Sequence, residues 1–362
     1  MKAAVVRTPD GECEITDISI SEPAPDQVRV RISAAGVCRS DLSIANGTIP
    51  HRLPAVLGHE GAGTVVAAGS EVTGVAVGDT VVLNWMPACG TCGYCVRQQP
   101  YLCGVASAAG SADYARTGDG TVLAAALGTG AFAEEVVLPA RAVVPVGDGI
   151  PPEQAALLGC TVLTGYGAVR HTAAVRPGET VVVLGTGGVG QAVLQAARLA
   201  GAGAVFAVDT DPAKEESALA HGATHFHADR TGALRTVLKE TGGMGADHVL
   251  DCVGAPETLR LAWKFTRRGG VTTVVGIGGR SQTVEFNVQD LCTSGRTLRG
   301  CVYGNSDPAR DIPLLAEHVR AGRLDLGSLI GARIQLADLP EVFRAGGFAG
   351  PGRAVVTMEA AA

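Results

Sequence analysis

The sequence lacks an excess of basic residues, a long hydrophobic run and a segment typical of an export signal. Its formal net charge is −6, so the basic surface typical of nucleic-acid-binding proteins is missing. No uninterrupted apolar stretch approaches the roughly 20 residues that a membrane-spanning helix needs. Residues 1–7 read as a β-strand, not as a signal peptide. These absences predict a soluble cytoplasmic protein that binds neither nucleic acid nor membrane.

The chain has 362 residues, of which 46% are hydrophobic and 18% are charged. This composition is ordinary for a globular protein, and the length suggests two domains. The unusual feature is the number of glycines, 50 in all, which implies many tight turns and close backbone approaches.

The first part of the chain alternates short apolar runs with Gly, Pro and Asp. Such runs predict antiparallel strands of a barrel-like domain, at residues 3–7, 27–33, 63–68 and 80–84. Residues 104–130 are small, polar and glycine-rich without a clear period. They predict a long surface loop, of the kind that commonly forms a lid or a partner surface.

From Pro152 onward the pattern changes to alternating helices and strands. Helices are expected at residues 153–158, 164–170 and 189–200, and strands at 180–184, 204–208, 248–252 and 271–275. Strands and helices that alternate through short connections predict a parallel, doubly wound sheet. Residues 311–320 and 333–358 return to mixed helix and strand.

A candidate metal site centres on Gly58-His59-Glu60. One imidazole flanked by glycines allows the backbone to approach closely, and Cys38 and Cys160 could add two thiolates. Two thiolates and one imidazole form a soft set of three ligands that leaves a fourth position open. The alternative is that the His-Glu pair lies on the surface by chance.

Four of the ten cysteines form a second cluster, Cys89, Cys92, Cys95 and Cys103. Four closely spaced thiolates can complete a tetrahedral zinc shell with no open position, although an iron–sulfur cluster also uses four thiolates. Buried inert thiols are a weaker alternative at this density. A disulfide framework is disfavoured because the chain is long and carries no export signal.

A glycine turn follows the predicted strand 180–184 and begins the next helix, with glycines at Gly185, Gly187, Gly188 and Gly190 and Val189 between them. Glycines in this context let backbone N–H groups approach a pyrophosphate at a helix N-terminus. Asp209 ends the next strand, where a carboxylate can bind ribose hydroxyls and repel a 2′-phosphate. The pattern therefore favours NAD over NADP, the alternative being a packing turn without cofactor.

The run from Gly58 to Val72 resembles the signature of the zinc-dependent medium-chain alcohol dehydrogenases. The Cys-Arg-Ser-Asp segment at 38–41, the four-cysteine lobe, Cys160 and the glycine turn follow in the same order over nearly the whole chain. The resemblance implies an α/β fold with a GroES-like β-rich catalytic domain and a Rossmann doubly wound parallel-sheet nucleotide domain. It places the catalytic domain at 1–161, with a structural-zinc lobe at about 85–104. The nucleotide domain follows at 162–302, and a segment returning to the first domain at 303–362.

The resemblance also implies two zinc ions per chain, one structural in the four-cysteine lobe and one catalytic. The catalytic ion would be held by Cys38, His59 and Cys160 and would act as a Lewis acid on an alcohol or aldehyde. Glu60 resembles a carboxylate that transiently approaches this metal, and pairing with a buried arginine is an equal alternative. Asp41 matches the carboxylate that orients the histidine ligand.

Ser40 matches the hydroxyl that carries the proton away from the alcohol in the family. Where better-known members place a histidine at the end of this relay, the present chain has Ser43. Serine is not a base near pH 7, so the proton must leave through water or another group. His51 lies near the metal loop, but its spacing does not fit the relay, and the remaining histidines are expected to be structural.

Further cofactor contacts follow from the resemblance alone. The expected NAD-binding residues outside the glycine turn and Asp209 are Arg39, Thr164, Lys214, Val275, Ile277 and Arg353. Arg39 and Arg353 correspond to residues that contact the pyrophosphate, and Lys214 to a lysine beside the adenosine ribose.

The substrate pocket implied by the resemblance includes Trp85, Ile49 and Val302. A large indole beside the zinc suits primary aliphatic or aryl alcohols and their aldehydes. A thiol-dependent formaldehyde dehydrogenase, using glutathione or mycothiol, is the alternative, and residues 83–85 and 125–132 resemble the mycothiol-dependent group. Two further alternatives remain: an enzyme that holds NAD permanently, and a non-catalytic protein that zinc stabilises. By analogy, a homodimer through the edge of the nucleotide-domain sheet is expected.

Overall fold

The computed structural model describes residues 1–348 and 350–358. The chain forms two compact units, one from residues 1–161 and the segment that begins at Asp307, the other from Val162 to Ser306. The boundary at which the chain returns to the first unit lies at 306/307, four residues beyond the predicted boundary at 302/303. The reason is close packing in the second unit, where a Cβ on Gly167 would collide with Gly304 and Ser306.

Eighteen strands are present in the described part of the chain. They are β1 (Lys2–Val6), β2 (Cys13–Ile20), β3 (Gln27–Gly36), β4 (Ala55–Val56), β5 (Glu60–Ala68), β6 (Thr80–Leu83), β7 (Ala115–Thr117), β8 (Val122–Ala125), β9 (Glu135–Pro139), β10 (Val143–Pro145), β11 (Thr180–Leu184), β12 (Ala204–Val208), β13 (His225–His227), β14 (Ala246–Asp251), β15 (Thr266–Val274), β16 (Thr297–Gly300), β17 (Ile330–Ile334) and β18 (Arg353–Thr357).

Twelve α-helices accompany these strands in the same described residues. They are α1 (Arg39–Ala45), α2 (Gly93–Val96), α3 (Gly104–Ser107), α4 (Pro152–Leu157), α5 (Leu163–Gly167), α6 (Gly188–Leu199), α7 (Glu215–Ala220), α8 (Arg230–Glu240), α9 (Pro256–Phe265), α10 (Val288–Ser294), α11 (Pro308–Arg320) and α12 (Leu339–Arg344). Wide π-helical turns occupy Leu158–Val162 and Ala168–Ala173. None of the helices in these residues has the length and apolarity to cross a membrane.

The first unit is built from two β-sheets. Strands β1, β2, β7, β8 and β4 close into a small barrel, and a larger sheet runs in the order β10-β6-β5-β3-β18-β17, with β9 also paired to β3. Along β3, Val28, Val30 and Ile32 are buried while Arg31 is exposed, the alternation expected of a strand with one core face. The buried face packs on Phe132 and its neighbours.

Residues 104–130 are not the surface loop that their composition predicted. They contain the short helix α3 and the strands β7 and β8, and Leu123 and Ala124 are fully buried. β7 pairs with β2, and β8 pairs with β4. This segment therefore completes the barrel.

The second unit is a six-stranded parallel sheet in the order β13-β12-β11-β14-β15-β16. Its core contains Val182, Phe206, Val249 and Phe265. Strands β11 and β12 have the predicted bounds. The predicted fold class, a β-rich domain joined to a doubly wound parallel-sheet domain, is confirmed.

Candidate metal centre and nucleotide turn

Three separate segments of the first unit bring the predicted metal ligands together. Cys38 precedes helix α1, His59 precedes strand β5, and Cys160 lies in the π-helical turn after α4. One ligand atom from each of these residues, and one from Glu60, lie within 4.8 Å of one another, and all four residues are buried. Segments more than a hundred residues apart in sequence thus converge on one point.

Asp41 fixes both the histidine and the loop that carries it. Its Oδ1 lies 2.9 Å from Nδ1 of His59 and accepts the Gly58 N–H at 3.1 Å, while Oδ2 accepts the Cys38 N–H at 3.0 Å. Gly58 has φ of +92°, and a Cβ there would collide with Phe132. With Nδ1 directed to a carboxylate, Nε2 remains for a metal, which is the usual arrangement of a histidine ligand.

Glu60 has the arginine partner that the sequence offered as one alternative, and it lies close to the candidate metal ligands. It pairs with Arg353, whose Nη2 lies 2.9 Å from Oε1, and it also lies among the candidate metal ligands. Thr161 donates a second hydrogen bond to Oε1 at 2.7 Å. Burial raises the pKa of Glu60 to about 7, against the lowering effect of Arg353. The carboxylate is thus held beside the cluster and is not exposed to solvent.

Neighbouring groups shift the pKa values of two of the candidate ligands. A hydrogen bond from Cys160, together with the positive charges of Arg353 and His59, lowers the pKa of the Cys38 thiol well below its usual range despite burial. Burial lowers the pKa of His59, but the negative charges of Asp41 and Cys38 more than reverse this and raise it well above the ordinary value. A donor set of two sulfurs and one imidazole suits zinc, so these residues fit the metal that their spacing predicts.

The four-cysteine lobe has the geometry of a closed tetrahedral site. The sulfur atoms of Cys89, Cys92, Cys95 and Cys103 lie within 4.8 Å of one another, with separations of 3.5 Å (Cys92 to Cys95) and 3.9 Å (Cys89 to Cys95). Zn–S bonds of about 2.3 Å in a tetrahedron place sulfurs about 3.8 Å apart. Backbone N–H groups from residues 91 and 92 lower the pKa of Cys89 to about 6. The residues fit a structural zinc ion.

In the second unit, the glycine turn lies between β11 and helix α6. Gly185 has φ of +83°, and a Cβ on Gly190 would collide with the Gly185 carbonyl, so the turn requires both glycines. A Cβ on Gly187 would meet nothing within 4 Å, which leaves open space where a phosphate could approach the start of α6. The turn therefore has a backbone geometry that fits the predicted binding of a pyrophosphate.

Asp209 links this turn to the end of β12. Its Oδ2 accepts the Thr186 N–H at 2.7 Å and the Thr186 hydroxyl at 3.0 Å, and Nζ of Lys214 lies 3.1 Å away. Partial burial raises the pKa of Asp209, but the Thr186 and Asp211 amides and Lys214 outweigh it, so the net shift is downward. The group is therefore ionised at neutral pH.

A cavity of about 140 Å³ lies beside Asp209 in the second unit. The sequence did not identify several of its lining residues, which come from the start of α8, the segment after β14 and helix α9. They are Arg230, Val253, Glu257, Thr258 and Leu261. A signal was available at the end of β14, where Asp251 follows two apolar residues and in the structure accepts hydrogen bonds from Val253, Gly254 and Thr258.

The remaining predicted residues lie in different places. In the first unit, the Trp85 ring stands edge-on to the His59 imidazole, with ring centroids 6.4 Å apart. Ser40 and Ser43 lie on α1, Ile49 packs beside the core, and Arg39 donates to the Gly346 carbonyl at 3.2 Å. In the second unit, the buried positions are Thr164 and Val275, and the exposed ones are Ile277 and Val302.

His51 has a structural connection that its position in the sequence did not reveal. Its Nδ1 bonds to the Arg52 carbonyl at 2.9 Å, and its Nε2 accepts the Leu127 N–H at 3.2 Å. Leu127 has φ of +51°, an uncommon conformation for leucine. Two residues later, the Thr129 hydroxyl donates to the Gly58 carbonyl at 3.0 Å, so His51 supports the segment that packs on the metal loop.

Comparison with known proteins agrees with this geometry. Residues 24–148 match the family model described as alcohol dehydrogenase GroES-like domain. Residues 188–317 match the model described as zinc-binding dehydrogenase. The chain belongs to the zinc-dependent medium-chain alcohol dehydrogenase family. It is therefore an oxidoreductase of that family, and the predicted resemblance is confirmed.

Two curated relatives of this alcohol dehydrogenase span nearly the same length. S-(hydroxymethyl)glutathione dehydrogenase of Photobacterium damsela subsp. piscicida is 35% identical over 355 residues, covering 94% of this chain and 95% of the relative. Alcohol dehydrogenase B of Mycobacterium tuberculosis strain H37Rv is 35% identical over 342 residues, covering 91% of each chain.

Among solved structures, benzyl alcohol dehydrogenase from Acinetobacter calcoaceticus superposes on this chain with a TM-score of 0.91. It is 28% identical in sequence, and the match covers 99% of both chains. The likeness therefore includes both units of the fold.

Proposed function

We propose that this dehydrogenase interconverts primary alcohols, aliphatic or aryl, and their aldehydes, with NAD as the hydride carrier. The observation that carries the substrate class is the Trp85 ring, which stands edge-on to the ligand His59 at 6.4 Å. An indole so near the metal ligands restricts the space for a second substituent on the alcohol carbon. The benzyl alcohol dehydrogenase of similar structure supports an aryl substrate.

The proposal assigns one zinc ion to Cys38, His59 and Cys160, with Glu60 at its side, and one to the four-cysteine lobe. Zinc at the first site would supply a Lewis acid to the alcohol or aldehyde oxygen. Asp41 keeps His59 in the orientation and tautomer that a ligand needs. Ser40, at the start of α1, receives the alcohol proton. Because Ser43, further along that helix, is not a base, the proton then passes on to water.

NAD is the proposed cofactor because Asp209 is ionised and lies beside the glycine turn. A carboxylate there accepts hydrogen bonds from ribose hydroxyls and repels the 2′-phosphate of NADP. The turn from Gly185 to Gly190 binds the pyrophosphate with backbone N–H groups. The other proposed contacts are Arg39, Thr164, Lys214, Val275, Ile277 and Arg353.

A second candidate substrate is the S-hydroxymethyl adduct of a thiol such as glutathione or mycothiol. It is supported by the likeness to S-(hydroxymethyl)glutathione dehydrogenase, at 35% identity. We rank it second because none of the described residues is assigned to recognition of the thiol.

The proposed assembly is a cytoplasmic homodimer. β16 pairs with β15 and ends the six-stranded sheet, and all four of its residues are exposed. Leu298, on this strand, exposes 41% of its surface. An open edge of this kind is a template for pairing with a second chain. Light scattering of the wild type and of Leu298→Lys tests this, and a monomeric wild type would refute it.

Steady-state assays of NADH formation test the substrate class. The panel contains benzyl alcohol, 1-butanol, 2-butanol and the S-hydroxymethyl adducts of glutathione and mycothiol. We expect benzyl alcohol and 1-butanol to be oxidised far faster than 2-butanol, and Trp85→Ala to reduce that difference. Trp263→Phe, in the second unit, is the control. Turnover of a thiol adduct alone would replace the first proposal by the second.

A further inference from the structure

Thr161 follows the candidate ligand Cys160 directly and forms hydrogen bonds with Glu60 and Arg353. Its hydroxyl donates to Oε1 of Glu60 at 2.7 Å, and it accepts hydrogen bonds from Nη2 and, at 2.9 Å, from Nε of Arg353. Thr161 and Glu60 are fully buried, and Arg353 exposes 8% of its surface. The Thr161 hydroxyl therefore donates its single hydrogen to the carboxylate and accepts hydrogen bonds from the guanidinium through its lone pairs.

The two oxygens of Glu60 have unequal surroundings. Oε1 accepts from Thr161 and from Nη2 of Arg353, whereas Oε2 is buried without a hydrogen-bond partner among the residues that the structure describes. A Cβ on Gly36 would collide with Oε2, so only glycine permits this position of the carboxylate. A buried oxygen without a donor is an incomplete interaction, and a cation at the neighbouring cluster would complete it.

The local backbone couples Thr161 to the ligand cysteine. Both residues lie in the π-helical turn Leu158–Val162, a rare conformation that is frequent at functional sites. A Cβ on Gly159 would lie 2.6 Å from the Leu83 carbonyl, so this turn packs closely on β6. Cys160 and Thr161 are therefore fixed together, and the Thr161 hydroxyl has little freedom to move away from Glu60.

We propose that Thr161 is a positioning residue that restrains Glu60 and so limits how strongly this carboxylate binds the metal. The inference rests on the proposed zinc site at Cys38, His59 and Cys160. Two donors on Oε1 hold the carboxylate toward Arg353 and reduce its donor strength. Without the hydroxyl, Glu60 keeps only the arginine contact, and its charge becomes more available to the cation.

Cobalt-substituted protein tests this role with a readout that does not depend on turnover. Co²⁺ in a site of two thiolates and one imidazole has a visible spectrum that reports an added oxygen ligand. For Thr161→Val we expect a changed spectrum and release of the metal to a chelator that is slower by about tenfold, the scale typical of residues that contact metal ligands. The KM for alcohol should rise because Glu60 then competes with the substrate for the metal.

Thr161→Ser retains the hydroxyl and should behave as the wild type. Thr172→Val is a matched control, since Thr172 is a buried threonine of the second unit that bonds to Cys301. Thr161→Ala is a second hydroxyl-free variant, which separates loss of the hydrogen bond from the extra methyl group of valine. An unchanged spectrum and release rate in both hydroxyl-free variants, or faster release, would overturn the role of Thr161.

The cobalt experiment distinguishes failure of the zinc assignment from failure of the role of Thr161. Wild-type protein that binds cobalt only in the four-cysteine lobe would refute the proposed metal site and, with it, the role of Thr161. Normal cobalt uptake at both sites with no effect of Thr161→Val refutes the role of Thr161 alone.

Discussion

Asp41 and His59 form a buried pair in which a carboxylate oxygen lies 2.9 Å from the imidazole Nδ1. The same oxygen also accepts the Gly58 N–H, so the pair joins helix α1 to the loop that carries His59. A single carboxylate thus determines the orientation of the ring and the conformation of the backbone before it.

Replacement of Asp41 by Asn should weaken the open metal site without affecting the four-cysteine lobe. Asn keeps the shape but removes the charge that favours a cation at His59. We expect zinc affinity at that site to fall by about 10- to 100-fold, measured by competition with a chromophoric chelator. Asp26→Asn changes an exposed acid of the same unit and should leave the affinity unchanged. Equal affinity in Asp41→Asn would show that the pair does not orient a ligand.

Replacement of Ser43 by His tests the path of the proton. An imidazole has an ordinary pKa of about 6.5, so it is protonated below that pH and can accept a proton above it. In Ser43→His, we expect kcat/KM for alcohol oxidation to increase as the pH is raised through about 6.5, a step that the wild type lacks. Ser43→Asn, which does not titrate, is the control. An unchanged profile in Ser43→His would argue that the relay does not pass this position.

Replacement of Asp209 by Asn should change cofactor selection. It removes the charge that repels a 2′-phosphate and weakens the bond to the ribose, an effect of about 1.5 kcal/mol or roughly tenfold. We expect the ratio of kcat/KM with NADP to that with NAD to rise by at least about tenfold. The control is Asp211→Asn, since the Asp211 side chain accepts the Ala213 N–H and does not bond to the glycine turn in the described part of the chain. A ratio that stays constant in Asp209→Asn would contradict the assignment.

The ionised state of Asp209 also predicts how discrimination between NAD and NADP depends on pH. The pKa of Asp209 is lowered in the folded protein, because the Thr186 and Asp211 amides and Lys214 together outweigh the opposite effect of burial. The group therefore stays ionised as the pH falls to its usual value of about 3.9 and loses its charge only below that. Discrimination between NAD and NADP in the wild type should be constant from about pH 7.5 to about pH 9, well above the pKa of about 6 of the 2′-phosphate. A change within that range would mean that another group selects the cofactor.

His51 should stabilise the segment that covers the metal loop. Its Nε2 accepts the Leu127 N–H, and loss of that acceptor leaves a donor unpaired at a cost of about 1 to 3 kcal/mol. We expect hydrogen exchange of the Leu127 amide to be faster by about tenfold or more in His51→Ala. His51→Gln, which keeps an acceptor, should be closer to the wild type. Unchanged exchange in His51→Ala would exclude a supporting role.

The sequence predicted the parts of the protein whose signals are local. Strands β11 and β12 were placed with the correct bounds because each is a continuous apolar run before a turn. The four cysteines of the lobe lie within 15 residues of one another, so their spacing alone indicated a cluster. The glycine turn likewise carries its information in six consecutive residues.

The features that the sequence missed depend on distant partners. β7 and β8 are short and pair with β2 and β4, which lie far away in the chain, so residues 104–130 have no period of their own. Thr161 carries no local signal beyond its place after Cys160, because Arg353 lies 192 residues further on. Contacts of this kind become visible only when the fold brings the segments together.

Metal content tests the central claim, that the chain holds one open and one closed zinc site, most directly. Plasma mass spectrometry of the purified protein should give two zinc ions per chain, one for each cluster. Cys160→Ser should lose only the ion of the open site, and Cys95→Ser only that of the lobe. Cys292→Ser alters an exposed thiol of the second unit and should keep both. A wild type with one zinc, equally retained in Cys160→Ser, would contradict the account.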